Sequence, residues 1–494
     1  MSPFTFLLVY LCVGLQLVAA LDRDFLSYPT KPRVFVLSDI ANEPDDAMSL
    51  VRYLVHSNQF KTEGIVATTS VWLRNETHAE DMIEIIDAYG KVVNNLNRHA
   101  PKDSPFPSAE FFHGIVKNGS SEYGMAAVGD DIPLSDGAKL LLERLEEDSE
   151  QPLWVTAWGG TNNLAQVLYK IHKDYSSEKA AELRSRLRVY TISDQDDTGA
   201  WIRHNWPDIF YIASVHAWNQ YSLATWTGMS GDILDTYDKG GPDLSKFTRE
   251  WIRQNIQIGP LGKVYPDYEY TVEGDTPTFL YLIQNGLGAP EHPEHGSWGG
   301  RYALVNPSTH GLKFNHYADI QDTVVGKNNE TFTSNHATIW RWRSAFQNDF
   351  AARMQWTLTA NASQVNHHPV LSVNGSSGFA PVSVNATAGS TLTLDASASY
   401  DPDGDRLKFH WFQYEEASVN EEVRAADVAT IDIKPFGKEG QSVKVRIPPA
   451  NSSCRTTPEI TSDQCQTLHL VLEVTDSGSP ALTTYQRVLL QVVG

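Results

Sequence analysis

The sequence predicts two folded parts in tandem: an α/β domain whose mostly parallel sheet is flanked by helices, then an all-β immunoglobulin-like sandwich. Three observations carry this reading. From Arg33 to about Trp356, short β-rich apolar runs alternate with amphipathic helical stripes, the pattern of strands joined by crossover helices. After that the helical period stops, and short alternating runs separated by turn residues take over. The chain has 494 residues, 41% of them apolar, which is enough to build two large cores.

The elements follow in chain order. Residues 1–20 carry no charged side chain, hold an apolar run from Phe6 to Val18 and end Val18-Ala19-Ala20, the composition of a secretory signal. The run is too short for a membrane span, which needs about 20 apolar residues. Residues 21–360 form the α/β domain. Val34 to Leu37, Gly64 to Thr68, Leu153 to Ala157 and Val189 to Ile192 read as buried strands. Ala47, Leu50, Val51, Leu54 and Val55 fall on one helical face, and so do Met82, Ile85, Ile86, Tyr89, Val92, Val93 and Leu96. Residues 361–369 (NASQVNHHP) are polar and end in proline, a surface linker by composition. Residues 370–494 supply strand runs at Thr391 to Leu394, Leu407 to Phe412, Val443 to Ile447 and Leu468 to Val474.

Charge and cysteines set the compartment and the partners. Asp and Glu total 60 against 39 Lys and Arg, a net charge of −21, so nucleic acid and anionic membrane surfaces are repelled. Seven N-x-S/T sequons, at Asn75, Asn118, Asn329, Asn361, Asn374, Asn385 and Asn451, fit a secreted, extracellular glycoprotein. Once the signal has taken Cys12, Cys454 and Cys465 remain; in an oxidising compartment they pair, the other reading being two free thiols.

In a parallel sheet, ligands gather at the carboxyl ends of strands, and four clusters sit there. Ser38 to Asp46 packs Asp39, Glu43, Asp45 and Asp46 into eight residues; a hard cation relieves their repulsion, whereas a helix cap needs only one of them. Thr156 to Ala165 contains Gly159 and Gly160, which let backbone approach a ligand or simply make a turn capped by Asn162. Ser193 to Trp201 sets Asp196 and Asp197 near Trp201, a sugar-binding combination or a solvated acidic turn. Glu273 to Pro277 offers Asp275 as a cap or as a distant ligand for the same ion.

These segments, SDIANEPDDAMSLVRYL, TAWGGTNNLA, ISDQDDTGAWIR and EGDTPTFLYLIQNGLG with HGSWGGRY downstream, together resemble the nucleoside hydrolase superfamily. More closely, they resemble the cellulose-binding proteins that pair a nucleoside hydrolase-like domain with a C-terminal β domain. That superfamily opens with D-x-D-x-x-x-D-D after its first strand and binds calcium there. The resemblance implies that Asp39, Asp46, Asp275 and the Asn162 carbonyl hold Ca2+ and that Asp45 contacts sugar hydroxyls. Two positions depart from the pattern. Ala41 stands at the second aspartate, the water-activating position, so Asp39 or Glu43 takes that role through a rearranged loop or the ancestral reaction is absent. Gly274 stands where nucleoside hydrolases often place a histidine that assists the leaving base.

The leading expectation is a secreted, calcium-dependent glycoside hydrolase acting on a cell-wall or plant-derived carbohydrate by water attack at the anomeric carbon. Asp39, Glu43 and Asp197 are its catalytic candidates, with Asp196 the other candidate acid. Asn42, Asp45, Trp158, Asn163, Asp196, Trp201 and Trp298 are the candidate carbohydrate contacts. The alternatives are a noncatalytic cellulose- or carbohydrate-binding protein on a hydrolase scaffold and, third, a ribonucleoside hydrolase. In the β domain, Asp401, Asp403 and Asp405 alternate either as calcium-loop ligands or as a plain Asp-Gly turn. Oligomeric state is not legible.

Overall fold

A computed structural model describes residues 24–494 except 217, 232–236, 306–314, 420–422, 424 and 455–464. The signal expected at residues 1–20 lies outside the described residues. Eight strands form the central sheet: β1 (Arg33–Ser38), β2 (Lys61–Ala67), β3 (Val116–Asn118), β4 (Leu153–Ala157), β5 (Leu187–Ser193), β6 (Phe210–Ser214), β7 (Tyr302–Leu304) and β8 (His316–Asp319). Their order is β3-β2-β1-β4-β5-β6-β8-β7. Every neighbouring pair is parallel except β7 with β8. All of β1 and β4 is buried, so these strands read as continuous apolar runs rather than alternations.

The order has a mechanical consequence. From β1 the chain moves outward to β2 and β3, then returns to place β4 on the other side of β1. Connections leave β1 and β4 in opposite directions, and a crevice opens beyond their carboxyl ends. Leu37 pairs with Ala157 there, and the Trp158 amide donates to the Leu37 carbonyl at 2.7 Å. Helix α1 (Pro44–His56) follows β1 directly, with Pro44 in its first turn and Met48, Leu50, Val51, Leu54 and Val55 buried on the sheet. Helices α2 (Ala79–Gly90), α3 (Asp136–Glu146), α4 (Asn162–Asp174) and α5 (Thr198–Asn205) complete the successive crossovers.

The β domain is two packed sheets. One contains β9 (Val382–Thr387), β11 (Lys408–Gln413), β14 (Thr467–Thr475) and β15 (Thr483–Val493); the other contains β10 (Thr391–Asp395), β12 (Asp432–Phe436) and β13 (Ser442–Arg446). Leu394, Trp411, Val443, Val445, Leu470, Leu472 and Val488 fill the space between them. All pairs are antiparallel except β9 with β15, which is parallel. Cys454 and Cys465 form a disulfide, and all seven sequon asparagines are exposed.

The linker expectation needs correcting. Residues 366–369 are buried, because each polar side chain of the run meets a partner: Asn366 donates to Asp476 at 3.0 Å, His367 Nδ1 pairs with Asp403 at 3.1 Å, and His368 pairs with Asp349 at 2.7 Å. The two parts are welded further along. The Tyr485 and Arg487 amides bond the Asn285 and Gly286 carbonyls. Gly286 has φ 85, and a Cβ there would fall 1.9 Å from the Tyr485 carbonyl oxygen, so only glycine allows this approach. Trp298, expected to stack on sugar, is instead buried in this junction against Phe346 and Tyr485.

Candidate active site

The crevice beyond β1 and β4 is a cavity of about 460 Å³. Asp39, Asn42, Glu43, Asp45, Asp46, Trp158 and Asp275, all singled out from sequence, line it. Asp39, Asp45, Asp46 and Asp275 are 3%, 9%, 3% and 2% exposed, so four acids are crowded together largely out of contact with bulk solvent. Single oxygens of Asp45, Asp46 and Asp275 lie within 4.8 Å of one another. Asp45, assigned from sequence to sugar, thus sits inside the acidic group, while Asp39 lines the same cavity beside it.

Local backbone explains the convergence. Asp39 follows the last residue of β1, and the loop reverses at Ala41, which takes φ 83 and turns outward to solvent. The position resembling the second aspartate is therefore not among the residues that line the cavity. Asp45 and Asp46 lie in the first turn of α1, whose amide dipoles favour negative charge. Ser38 Oγ donates to Asp46 at 2.5 Å. Gly159 makes room for Asp39, since a Cβ there would fall 2.7 Å from its Oδ1. Asp275 opens a short helix, α6 (Pro277–Leu280), and is positioned by Glu273, which holds φ 57 through a buried 2.5 Å ion pair with Arg52.

Burial and mutual repulsion dominate the electrostatics. Burial first, then neighbouring carboxylates, push Asp45 up to about 7 and both Asp46 and Asp275 well above the ordinary range. Burial pushes Asp39 up to about 6, against a hydrogen bond from Ser70. Asp275 Oδ2 is buried with no hydrogen-bond partner among the described residues. A group of oxygens that repel one another, one of them unsatisfied, is the donor set a hard divalent cation fits.

Other sequence-chosen residues lie elsewhere. Asn162 opens α4, so its carbonyl runs along the helix axis toward the next turn rather than into the cavity. Its side chain ties Thr68, Thr69 and the Glu122 carbonyl together. Asn163 is buried against Thr68 and Ser135. Asp196 accepts from the Thr198 hydroxyl and the Asn162 amide, holding two loops together behind the site. Asp197 is exposed and accepts from the Met125 amide at 2.8 Å. Trp201 packs edge-on against Trp206 at 4.8 Å. None of these six residues, Trp298 included, lines the cavity.

Sequence reading missed the aromatic wall. Trp72, Tyr221, Trp226 and Tyr270 line the cavity with Gln195. Trp72 and Tyr270 are 51% exposed, at the mouth. Trp72 follows the end of β2, and Tyr221 and Trp226 follow the end of β6, so the strand-end rule points to them; their spacing does not. Trp226 also accounts for Gly274: a Cβ there would fall 2.7 Å from Asp45 Oδ2 and 3.0 Å from the Trp226 ring. The indole fills the space a histidine would need.

Residues 33–302 match the family described as cellulose-binding Sde182, nucleoside hydrolase-like domain, and residues 391–492 match the cellulose-binding protein Sde0182 C-terminal domain. The chain belongs to this family. A solved structure from Saccharophagus degradans, a nucleoside hydrolase-related hypothetical protein associated with carbohydrate metabolism, is 32% identical with a TM-score of 0.75. The match covers 94% of this chain and 100% of that one. The effector protein XOO4466, at 12% identity and TM-score 0.30 over 68% of this chain and 94% of its own, is too distant to carry an argument. No curated protein matches the chain. The chain thus holds its acids at the sheet's switch point, and its β domain bonds residues 285–287 and His295 of the first domain. Among the described residues no helix is long and apolar enough to cross a membrane.

Proposed function

We propose that the protein is a secreted glycoside hydrolase that holds calcium on Asp45, Asp46 and Asp275, with Asp39 beside them, and acts on a cell-wall or plant-derived carbohydrate. The observation that carries the reading is a cavity lined by four nearly buried carboxyls, with two exposed aromatic residues on the same lining. Bound calcium would supply positive charge for sugar hydroxyls and for a water molecule. Trp72 and Tyr270, half-exposed on the lining, supply aromatic surface on which the C–H face of a sugar would stack. Asp39, a carboxyl lining the cavity beside the cation's acids, is placed to act as general base: it takes a proton from water as the water oxygen bonds to the anomeric carbon. The bond from that carbon to the leaving oxygen breaks as Glu43, half-buried on the same lining, delivers the proton that oxygen needs. Direct water attack inverts the anomeric centre. Asp196 and Asp197 have no part in this scheme, since both are bound to loops outside the cavity.

Exposed sequons, the disulfide and the apolar start of the chain support export and glycosylation. The family's description supports a carbohydrate ligand. A second reading, a noncatalytic carbohydrate-binding protein, is favoured by Ala41, which removes the usual water-activating aspartate from the loop. One experiment separates them. Polysaccharide and glycoside panels are assayed with calcium and with chelator, beside Asp39→Asn and a cellulose pull-down with Asp46→Ala. Calcium-dependent turnover lost in Asp39→Asn supports the hydrolase; retention on cellulose without turnover supports the binder.

A further inference from the structure

Gln195 lies in the loop after β5 and lines the cavity with Asp39 and Asp275, yet belongs to neither the acidic group nor the aromatic wall. It is 7% exposed. Its side-chain Nε2 donates to the Trp158 carbonyl, and its backbone carbonyl accepts from the Val71 amide at 2.7 Å. The bond to Trp158 fixes which end of the side-chain amide faces where, because reversing it would set two oxygens against each other, and the Val71 bond anchors the backbone that carries it. The remaining atom, Oε1, is buried with no hydrogen-bond partner among the described residues. A buried acceptor held rigidly and left unmatched favours any ligand that brings it a donor and penalises one that does not.

We propose that Gln195 reads a sugar hydroxyl: its Oε1 accepts a hydrogen bond from a ring hydroxyl of the bound glycoside, so the cavity selects sugars with that hydroxyl free over their deoxy counterparts. This rests on the carbohydrate reading of the cavity. The carboxyls nearby can grip neighbouring hydroxyls, but as acceptors crowded around a cation site they discriminate little between them. Gln195 is neutral, immobilised and single-valued, which suits it to specificity.

The test is a cycle of protein and ligand changes. Methyl pentofuranosides and hexopyranosides, each with its 2-deoxy and 3-deoxy form, are titrated calorimetrically in saturating calcium into wild type, Gln195→Leu and Gln195→Glu. Wild type should prefer one parent glycoside over one of its deoxy forms by about tenfold to a hundredfold. Gln195→Leu should erase that preference by weakening only the parent. Gln195→Glu keeps an acceptor but loses the donor to Trp158, so it should retain part of the preference. If both variants lose parent and deoxy affinity equally, Gln195 only braces Trp158, and the inference is overturned. An unchanged preference in Gln195→Leu also overturns it, while leaving the carbohydrate reading intact. No binding of any glycoside by wild type removes that reading, and this inference with it.

Discussion

Asp45 shows how far a single residue's surroundings govern this site. Burial and the neighbouring acids raise it from 3.8 to about 7, and burial raises Asp39 to about 6. A carboxyl that keeps its proton longer folded than unfolded favours the fold fully below its unfolded value, and that contribution is lost as pH rises through the folded one. Metal-free protein should therefore lose stability between about pH 4 and about pH 7, and calcium should restore it increasingly across that window. Melting curves with calcium and with chelator at successive pH values check this; a constant gap would contradict it. Gly274 makes the opposite kind of test. Gly274→His puts back the residue type that nucleoside hydrolases often carry there, but collides with Asp45 and Trp226. The expected outcome is a loss of about 1–3 kcal/mol in denaturant unfolding with no gain of nucleosidase activity. The acids were legible in sequence because four carboxyls in eight residues need an explanation. Asn162, Asn163 and Asp197 misled because strand-end polar residues also brace loops, and composition cannot separate that duty from ligand contact.

Elements position these residues through buried polar ties rather than through helix propensity. Arg52, in the middle of α1, reaches Glu273 at 2.5 Å and lies 4.1 Å over the Phe350 ring, while Tyr265 donates to Glu273 at 2.8 Å. That pair locks α1, which carries Asp45 and Asp46, to the segment that carries Asp275. Replacing Arg52 with Met should strand the Glu273 charge and cost about 3–5 kcal/mol in denaturant unfolding. It should also weaken calcium binding, read by titration, although no ligand is altered; an unchanged calcium affinity would show that the acids hold their places without the pair. The strands of the first domain were readable because β1, β2, β4 and β5 each contain a short β-rich apolar run. The aromatic wall was not, since Tyr221 and Trp226 lie in short 3-10 turns that carry no apolar period and whose placement depends on which strand ends they follow.

The whole molecule behaves as one body because charge is buried across its junction. Asp322, fully buried, accepts from Arg301 at 2.7 Å, from Arg341 at 2.8 Å and from Tyr414 of the β domain at 2.6 Å. Arg487, on β15, donates to the Leu287 and His295 carbonyls of the first domain. Calorimetric unfolding should accordingly show a single transition for both domains, and two separated transitions would show that the junction does not couple them. The two-part architecture was visible in sequence as the end of helical periodicity. The junction was not, because polar residues such as those at 366–368 look like linker until their partners in the other domain are known. The central claim is that Asp45, Asp46 and Asp275 are gathered for one divalent cation, and calcium titration calorimetry of chelator-stripped protein tests it most directly. Wild type should bind one calcium per chain and Asp275→Asn, confirmed folded, should show none; equal binding by both, or none by wild type, would contradict the account.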